Sequence, residues 1–271
     1  RGSMIKEECI IVSTELTPSD TAQLPPDRVL GFITELGGPT SHAAIIARSM
    51  EIPAVVGLAD ITNAVRNDDY LIVDGEHGAV FLNPDSETIQ EYRIIQEDEA
   101  RQRRELIRIK DSPAQTKDGS RIKLLANVGE PWELAKAVEY GAEGIGLFRT
   151  EYLFMNRESL PSEEEQYQSY KEALERMDGN EVVIRTLDIG GDKKLPYLSL
   201  GDEMNPFLGY RAIRLCLNEK ELFRTQLRAL YRASPHGNLK IMFPMISNLD
   251  EYRDARSLAR EVKSELIKEG H

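Results

Sequence analysis

One stretch of the sequence indicates the fold more clearly than any other, and it reads Gly144-Ile145-Gly146-Leu147-Phe148-Arg149-Thr150-Glu151. Its first five residues are small or apolar and predict a short buried strand, and polar residues follow directly. Residues 162–177 then predict a helix, because Ser162 and Glu165 can form a capping box at its start. The stretch therefore begins one β-α unit.

Three further β-α units accompany this one along the chain. The predicted strands are residues 122–126, 182–184 and 239–243, and the helices that follow them are 132–140, 206–217 with 219–233, and 248–267. Four successive β-α units predict a parallel sheet. The pattern alone leaves two architectures open, a doubly wound sheet and part of a (β/α)8 barrel.

The first 84 residues have a different texture, in which short β-branched runs alternate with turns that contain Gly and Pro. They predict a small α/β unit with mixed strands, whose elements are strands at 9–12, 70–73 and 79–82, a helix at 41–49 and a hairpin connection at 74–78.

A strongly charged segment follows, and seven of the nine residues in 97–105 are charged. Residues 85–111 therefore predict a solvated helix, with Thr88 and Glu91 as a possible capping box. The predicted organisation is a domain at 5–84, a linker helix at 85–117 and a second domain at 118–271. Residues 1–4 read as a tag remnant.

Composition excludes several classes of protein. The chain has 271 residues and a formal net charge of −12, which argues against a protein that mainly binds nucleic acid or an anionic membrane. Apolar residues at 41% and charged residues at 30% fit a globular protein, and no apolar run is long enough to predict membrane insertion. Two cysteines cannot build a disulfide framework, so a cytoplasmic enzyme is expected.

Two arginines are predicted at adjacent strand ends, where the working residues of a β/α barrel lie. These are Arg149 and Arg185. A guanidinium withdrawn from water needs an anion, so the pair favours an anionic substrate. Internal salt bridges to Glu151 or Asp188 are the alternative. The other predicted strand-end residues are Asn127, Thr150, Glu151, Asp188, Pro244 and Met245.

The strongest single candidate for chemistry is His42, in the stretch Gly37-Gly38-Pro39-Thr40-Ser41-His42-Ala43-Ala44. A Gly-Gly loop leads into two good capping residues, which places His42 in the first turn of a helix. The N–H groups there favour negative charge, so a neutral His42 could act as a nucleophile and its phosphorylated ring would meet N–H donors. The alternative is an ordinary polar histidine at a helix start.

The remaining histidines and cysteines suggest no site. His77 and His236 are predicted at surface turns, and Cys216 in the core. No spacing of His, Cys and Asp resembles a zinc site, so no metal ligand is predicted in this sequence.

Several motifs together resemble enzyme I of the bacterial phosphoenolpyruvate:sugar phosphotransferase system, a family of phosphoenolpyruvate–protein phosphotransferases. The resemblance runs from about Glu7 to the C-terminus and lies in the runs 37–42, 52–57, 144–151, 185–193 and 205–209. It implies a small swivelling phosphohistidine α/β domain, a charged linker helix and the first half of a (β/α)8 TIM-type barrel.

The resemblance also implies an activity and partners. His42 would be phosphorylated by phosphoenolpyruvate (PEP) and pass the phosphoryl group to the carrier protein HPr, the first step of sugar uptake. Arg149 and Arg185 would bind the substrate, Arg211 would line the same mouth, and Thr21 would orient the His42 ring. The family implies Mg²⁺ as cofactor, a cytoplasmic location and a homodimer.

The sequence departs from the family in three respects. Pro39 stands where many members carry arginine, and no HPr-binding helical subdomain is present. The Mg²⁺ ligands are expected in a missing C-terminal half of the barrel, so the chain is expected to be an inactive fragment. The alternatives are a pyruvate phosphate dikinase or PEP synthase type of enzyme with the same histidine, and a non-catalytic relative.

Overall fold

A computed structural model describes residues 5, 7–17, 20, 24–25, 27–155, 157–190, 195–198 and 208–271. The chain divides into two compact units, which are unit 1 (Arg1–Leu106) and unit 2 (Ile107–His271). The boundary falls inside one long helix, and the predicted division at residues 84 and 117 stays a prediction.

Unit 1 contains a three-stranded parallel sheet in the order β1-β2-β3, built from β1 (Cys9–Ser13), β2 (Val29–Thr34) and β3 (Ala54–Val55). The central strand, β2, was not among the predicted elements, because Gly31 interrupts its apolar run. A Cβ atom at Gly31 would lie 3.0 Å from the carbonyl oxygen of Pro53, so glycine permits the close approach of β3.

A helix and a hairpin complete the α/β part of unit 1. Helix α1 (His42–Met50) follows β2, α2 (Ile61–Ala64) is a single turn, and β4 (Leu71–Asp74) pairs with β5 (Ala79–Leu82) in an antiparallel hairpin. The buried cluster joins α1 to the sheet and comprises Leu16, Val29, Phe32, Ala43 and Ala47. The predicted mixed α/β unit is confirmed.

The charged segment forms helix α3 (Ser86–Ile109), and none of its residues is buried. The prediction of a solvated helix is therefore confirmed. The predicted capping box is wrong, because the Thr88 N–H donates to Asp85 Oδ1 at 2.8 Å. Asp85, one residue before the helix, supplies the cap in place of Thr88.

Unit 2 contains a four-stranded sheet with every pair parallel, in the order β6-β7-β8-β9. Its strands are β6 (Ala126–Val128), β7 (Gly144–Phe148), β8 (Glu181–Arg185) and β9 (Asn238–Met242). The predicted parallel sheet is confirmed.

The prediction for β6 is wrong in position, because the strand begins at residue 126 and not at residue 122. The Leu124 N–H donates to the side chain of Glu143 at 2.9 Å, and the Leu124 side chain is 55% exposed. Asn127 consequently lies within β6 instead of following it.

The helices of unit 2 alternate with its strands. They are α4 (Glu133–Glu139), α5 (Glu163–Arg176), α6 (Ile213–Asn218), α7 (Lys220–Ala233) and α8 (Leu249–Glu269). The capping box of Ser162 and Glu165 starts α5 as predicted. Residues 206–207 of the helix predicted at 206–217 lie outside the described residues. The prediction is wrong for residues 208–212, which form a turn and a β-bridge between Arg211 and Gly190, and α6 begins only at Ile213.

The core of unit 2 lies between the sheet and its helices. Fully buried residues of β7 and β8 contribute Ile145, Val182 and Ile184, and the helices contribute Leu174, Phe223, Leu227 and Val262 among others. In the part of the chain that the structure describes, no helix combines the length and the apolar character that crossing a membrane requires.

Candidate active site

The loop that leads into α1 is shaped by glycine and by hydrogen bonds. Gly37 has a φ of +117°, a conformation that side chains disfavour. The Ser41 N–H donates to the carbonyl oxygen of Gly38 at 2.9 Å. An Nη of Arg48 donates to the carbonyl oxygen of Pro39 at 2.6 Å, so α1 holds its own entry loop.

His42 is the first residue of α1, as the sequence predicts. Ser41 is the N-cap, and its Oγ accepts a hydrogen bond from the Ala44 N–H at 3.4 Å. The first turn of α1 contains no acidic residue, so no carboxylate competes there for an anion. The methyl groups of Ala43, Ala44 and Ala47 are buried, while the His42 side chain remains partly exposed.

This geometry suits a histidine that carries a phosphoryl group. The phosphoryl oxygens would lie close to the positive end of α1 and to its first-turn N–H donors, which stabilise negative charge. The start of α1 is therefore suited to an anionic group held at the His42 ring.

In unit 2, the two predicted arginines leave adjacent strands at the same edge of the sheet. Phe148, the last residue of β7, pairs with Ile184 of β8. Arg149 follows β7 directly and Arg185 is the last residue of β8, so the two arginines lie at the same end of adjacent strands. The structure thus brings together the two residues that sequence analysis assigned to an anionic substrate.

Arg149 lies against Gly129 in the loop that follows β6. A Cβ atom at Gly129 would be 2.1 Å from an Nη of Arg149, so this guanidinium position requires glycine. Among the described residues Arg149 has no salt bridge, and its side chain is exposed. Its charge is consequently available to a ligand.

Arg185 is compensated by two carboxylates. Its Nη2 lies 3.1 Å from Glu151 Oε1, and its Nη1 lies 2.9 Å from Asp188 Oδ2. The salt-bridge alternative from sequence analysis is therefore correct for Arg185 and is not observed for Arg149 within the described residues. The Nε of Arg185 is buried and has no hydrogen-bond partner there, which leaves one donor unused.

Arg211 joins the same cluster through Asp188. Its Nη2 lies 3.0 Å from Asp188 Oδ1. Gly190 allows this approach, because a Cβ atom there would be 2.2 Å from the Arg211 Cβ. The cluster of Arg185, Glu151, Asp188 and Arg211 contains two positive and two negative charges, and Arg149 adds one further positive charge at the same edge.

Some predicted residues play no part in this arrangement. His77 is exposed as predicted and pairs with Asp74 at 2.9 Å. His236 is less exposed than predicted, because its Nε2 lies 3.1 Å from the Tyr167 hydroxyl. Cys216 is fully buried as predicted, and burial raises the pKa of its thiol to about 12. Pro244 and Met245 follow β9, and no contact among the described residues joins them to the arginine cluster.

Other predicted residues cannot be placed. Thr21 lies outside the described residues, and so do Gly191, Asp192 and Lys193 of the run 185–193 on which the family resemblance partly rests. The described part of the chain contains no group of three or more His, Cys, Asp or Glu side chains that could hold a metal ion.

Sequence analysis missed Gln226 on α7. It is fully buried, and its amide reaches residues at the ends of both β7 and β8. The sequence signal for Gln226 is its position among the apolar residues of the helix, where an amide must find buried hydrogen-bond partners.

Comparisons with known proteins identify the family of this chain. Residues 103–271 match the PEP-binding domain of PEP-utilising enzymes, and residues 5–78 match the mobile domain of such enzymes. The chain belongs to the PEP-utilising enzymes. Within this family, the arginine cluster lies in the PEP-binding domain and His42 in the mobile domain.

Individual relatives among the PEP-utilising enzymes are similar over nearly the whole chain. The phosphoenolpyruvate-protein phosphotransferase of Bacillus subtilis (strain 168) is 54% identical over 268 residues, and that of Staphylococcus carnosus (strain TM300) is 53% identical over 269 residues. Each alignment covers 99% of this chain and 47% of the relative, so the chain spans about half the length of these proteins.

A solved structure is also similar in sequence. It is an NMR solution structure of enzyme I that is 49% identical over 36% of this chain and 40% of its own chain. The TM-score is 0.35, which is too low to establish a shared fold.

Proposed function

We propose that the protein containing this chain is a phosphotransferase that moves the phosphoryl group of PEP to His42 and then to HPr, the first step of sugar uptake by the phosphotransferase system. One observation carries the proposal: a mobile domain and a PEP-binding domain occur together in a chain that is 53–54% identical, over 99% of its length, to phosphoenolpyruvate-protein phosphotransferases.

The arginine cluster suits the substrate of this reaction. PEP carries a phosphate and a carboxylate, and guanidinium groups match both in two-point contacts. Arg149 offers an exposed charge, while Arg185 is fixed by Glu151 and Asp188. These two arginines would hold the substrate. Arg211, which pairs with Asp188, would line the same substrate-binding site.

His42 would act as the nucleophile. Its neutral ring nitrogen attacks the phosphorus of PEP, an N–P bond forms, the P–O bond to the enol oxygen breaks, and the enolate of pyruvate leaves with the electron pair. Such a transfer depends on in-line positioning and charge neutralisation more than on other covalent chemistry. The second transfer regenerates His42 when a nucleophile on HPr attacks the same phosphorus.

The larger architecture is part of the proposal. The strand order β6-β7-β8-β9 follows the chain, which is the order of strands in a (β/α)8 barrel, and it supports assigning unit 2 to the first half of a TIM-type barrel. A swivelling role for the phosphohistidine domain of unit 1, a homodimer through the barrel and a cytoplasmic location complete the proposed assembly.

Mg²⁺ is proposed as the cofactor of the complete enzyme, in which it would neutralise charge on the transferred phosphoryl group. The described residues include no group of three or more His, Cys, Asp or Glu side chains that could hold a metal ion, and Arg185 already pairs with both carboxylates of the arginine cluster, Glu151 and Asp188. The ligands of Mg²⁺ are therefore proposed outside the described residues.

Mass spectrometry of the full-length gene product tests the proposal. Incubation with PEP and Mg²⁺ should give one acid-labile phosphoryl adduct, which the His42→Ala variant lacks and the His77→Ala variant keeps. His77 is a suitable control because it is an exposed histidine of the same unit.

Two outcomes would contradict the proposal. An adduct that persists in His42→Ala would exclude His42 as the nucleophile. Transfer from the adduct to a nucleotide instead of HPr would identify the protein as a dikinase or PEP synthase type of enzyme.

A further inference from the structure

The buried face of α7 contains one amide side chain among apolar neighbours. Gln226 is 0% exposed, and Phe223, Leu227 and Leu230 on the same face are equally buried. Burying an amide is unfavourable unless its donors and its acceptor all find partners, so its contacts show what the position requires.

Those contacts are complete. Gln226 Oε1 accepts from the backbone N–H of Leu187 at 2.9 Å. Gln226 Nε2 donates to Thr150 Oγ1 at 3.2 Å and to the Tyr170 hydroxyl at 3.1 Å. Leu187 immediately precedes Asp188, and Thr150 immediately follows Arg149, so one side chain reaches the segments that carry both.

The orientation of this amide is fixed by its neighbours. A backbone N–H can only donate, so the oxygen of Gln226 must face Leu187. The Tyr170 hydroxyl donates to Gln166 Oε1 at 3.0 Å and therefore accepts from Gln226. A carboxylate or an apolar side chain at position 226 could not satisfy the same set of partners.

The network continues to the end of β8. Thr150 Oγ1 donates to the backbone carbonyl oxygen of Arg185 at 3.0 Å. Gln226 consequently fixes the backbone on both sides of Thr186, at Arg185 through Thr150 and at Leu187 directly. From this short segment the side chains of Arg185 and Asp188 enter the arginine cluster.

We infer that Gln226 is a positioning residue for PEP binding: it holds the ends of β7 and β8 in the register that directs Arg149 and Arg185 at the phosphate and carboxylate of the substrate. The inference rests on the proposed function. Gln226 would contact no substrate atom, and its effect would pass through the backbone. Small displacements of binding groups are sufficient to reduce ligand affinity strongly.

Calorimetric titration of the full-length gene product with PEP tests this role. The titration uses a His42→Ala background, in which PEP is not consumed. Gln226→Met, which keeps the size of the side chain and removes its polar atoms, should weaken PEP affinity by about tenfold, the scale of one lost buried hydrogen bond. The matched control is Leu230→Val, a fully buried residue one turn along α7 with no polar atom.

A second variant removes the next hydrogen-bonding group in the same network, the Thr150 hydroxyl. Thr150→Val removes the hydroxyl between Gln226 and Arg185 and should also weaken PEP affinity. The double variant Gln226→Met/Thr150→Val should bind PEP about as weakly as the weaker single variant, because both changes remove one connection. Thr150→Val carries the test by itself if Gln226→Met does not fold.

The results separate the inference from the proposed function. Equal PEP affinity in Gln226→Met and its parent would overturn the inference alone, and so would an equal loss in Leu230→Val, which would indicate a general effect of destabilising α7. Absence of PEP binding in the parent would overturn the proposed function together with the inference. The inference is supported if PEP binds about tenfold more weakly to Gln226→Met and Thr150→Val and with unchanged affinity to Leu230→Val.

Discussion

The two candidate anion sites of this chain are built in different ways. At His42 the positive character comes from backbone N–H groups at a helix start, with no acidic residue in the first turn. At the end of β8 it comes from guanidinium groups that Glu151 and Asp188 compensate.

The difference follows from the positive charge that each site leaves uncompensated when no anion is bound. Backbone dipoles need no counter-ion, so the start of α1 requires no carboxylate to compensate it when no anion is bound. Partly buried guanidiniums are destabilising unless they are paired, so the arginine cluster keeps its own carboxylates. Arg149, which is exposed, is the member that needs no such pairing.

Replacing either arginine should give the largest effect and should separate binding from stability. Arg149→Ala and Arg185→Ala are both expected to abolish phosphorylation of His42 by PEP, while transfer back from phosphorylated HPr is retained. Arg185→Ala should also lower the free energy of unfolding by roughly 3 kcal/mol, because the partly buried Glu151 carboxylate loses its ion-pair partner and Asp188 keeps only Arg211. Arg149→Ala should change it by less than about 0.5 kcal/mol.

Phosphorylation assays and thermal unfolding of the full-length gene product measure these effects. Equal losses of stability in the two variants would show that the contrast between a compensated and an exposed arginine is wrong. Loss of the back-transfer in either variant would indicate an effect on His42 or on folding.

Gly129→Ala tests whether Arg149 depends on the empty space beside it. The new methyl group would meet the end of a flexible side chain, so Arg149 should move while the fold is retained. PEP affinity should fall by roughly tenfold, a cost within the range for overpacking. Titration with PEP measures the effect, and unchanged affinity would mean that Arg149 binds substrate from another position.

Gly37→Ala and Gly38→Ala apply the same kind of change to the loop before His42. A Cβ atom at Gly37 would lie 3.0 Å from the Ser41 side chain, and its φ of +117° is unfavourable for alanine, whereas a Cβ atom at Gly38 would meet nothing within 4 Å. Gly37→Ala should therefore destabilise the loop by about 1–3 kcal/mol, and Gly38→Ala should not.

Hydrogen exchange at the Ser41 and Ala44 amides reports on this loop directly, because both amides donate within it. Faster exchange is expected for Gly37→Ala only. Similar exchange in both glycine variants would show that the loop does not determine the start of α1.

The smallest predicted effect concerns acid stability at the start of α8, whose first turn contains Glu251, whereas the first turn of α1 contains no acidic residue. The Ser247 N–H and the Arg214 guanidinium hold the pKa of Glu251 below its usual value of 4.5. A lowered pKa in the folded state contributes stability above the usual value, and this contribution is lost as the pH falls through the folded value.

Glu251→Gln should therefore lower the Tm by roughly 2 °C at pH 7, and the difference from the parent should shrink as the pH falls from 4.5 through the lowered pKa of Glu251. Thermal scans across pH measure the difference. A Tm difference that stays constant as the pH falls would show that the Glu251 charge is not its cause.

Local sequence signals predicted much of the fold. The strand Gly144–Phe148 and the capping box of α5 were predicted where the structure has them, because an apolar run and a Ser-x-x-Glu pattern are properties of neighbouring residues. The strand β6 was misplaced, since exposed apolar residues at 122 and 124 mimic a strand, while the Glu143 side chain holds Leu124 outside the sheet.

The candidate site was predictable only in part. Arg149 and Arg185 follow predicted strands, so their neighbourhood follows from parallel topology. Gln226 and Thr150 are 76 positions apart, and no local pattern indicates that their side chains meet. Whether Arg149 or Arg185 pairs with a carboxylate likewise depends on distances that only the folded unit defines.

The exposed helix α3 has a consequence for how this protein can change over evolution. Since none of its residues is buried, most positions can accept substitutions that preserve charge and helix propensity. Substitution is restricted mainly at the few residues whose side chains make contacts outside the helix, such as Tyr92 with Asp74 and Arg103 with Glu51. Most substitutions at its other positions should therefore change the free energy of unfolding less than substitutions in the buried core of either unit.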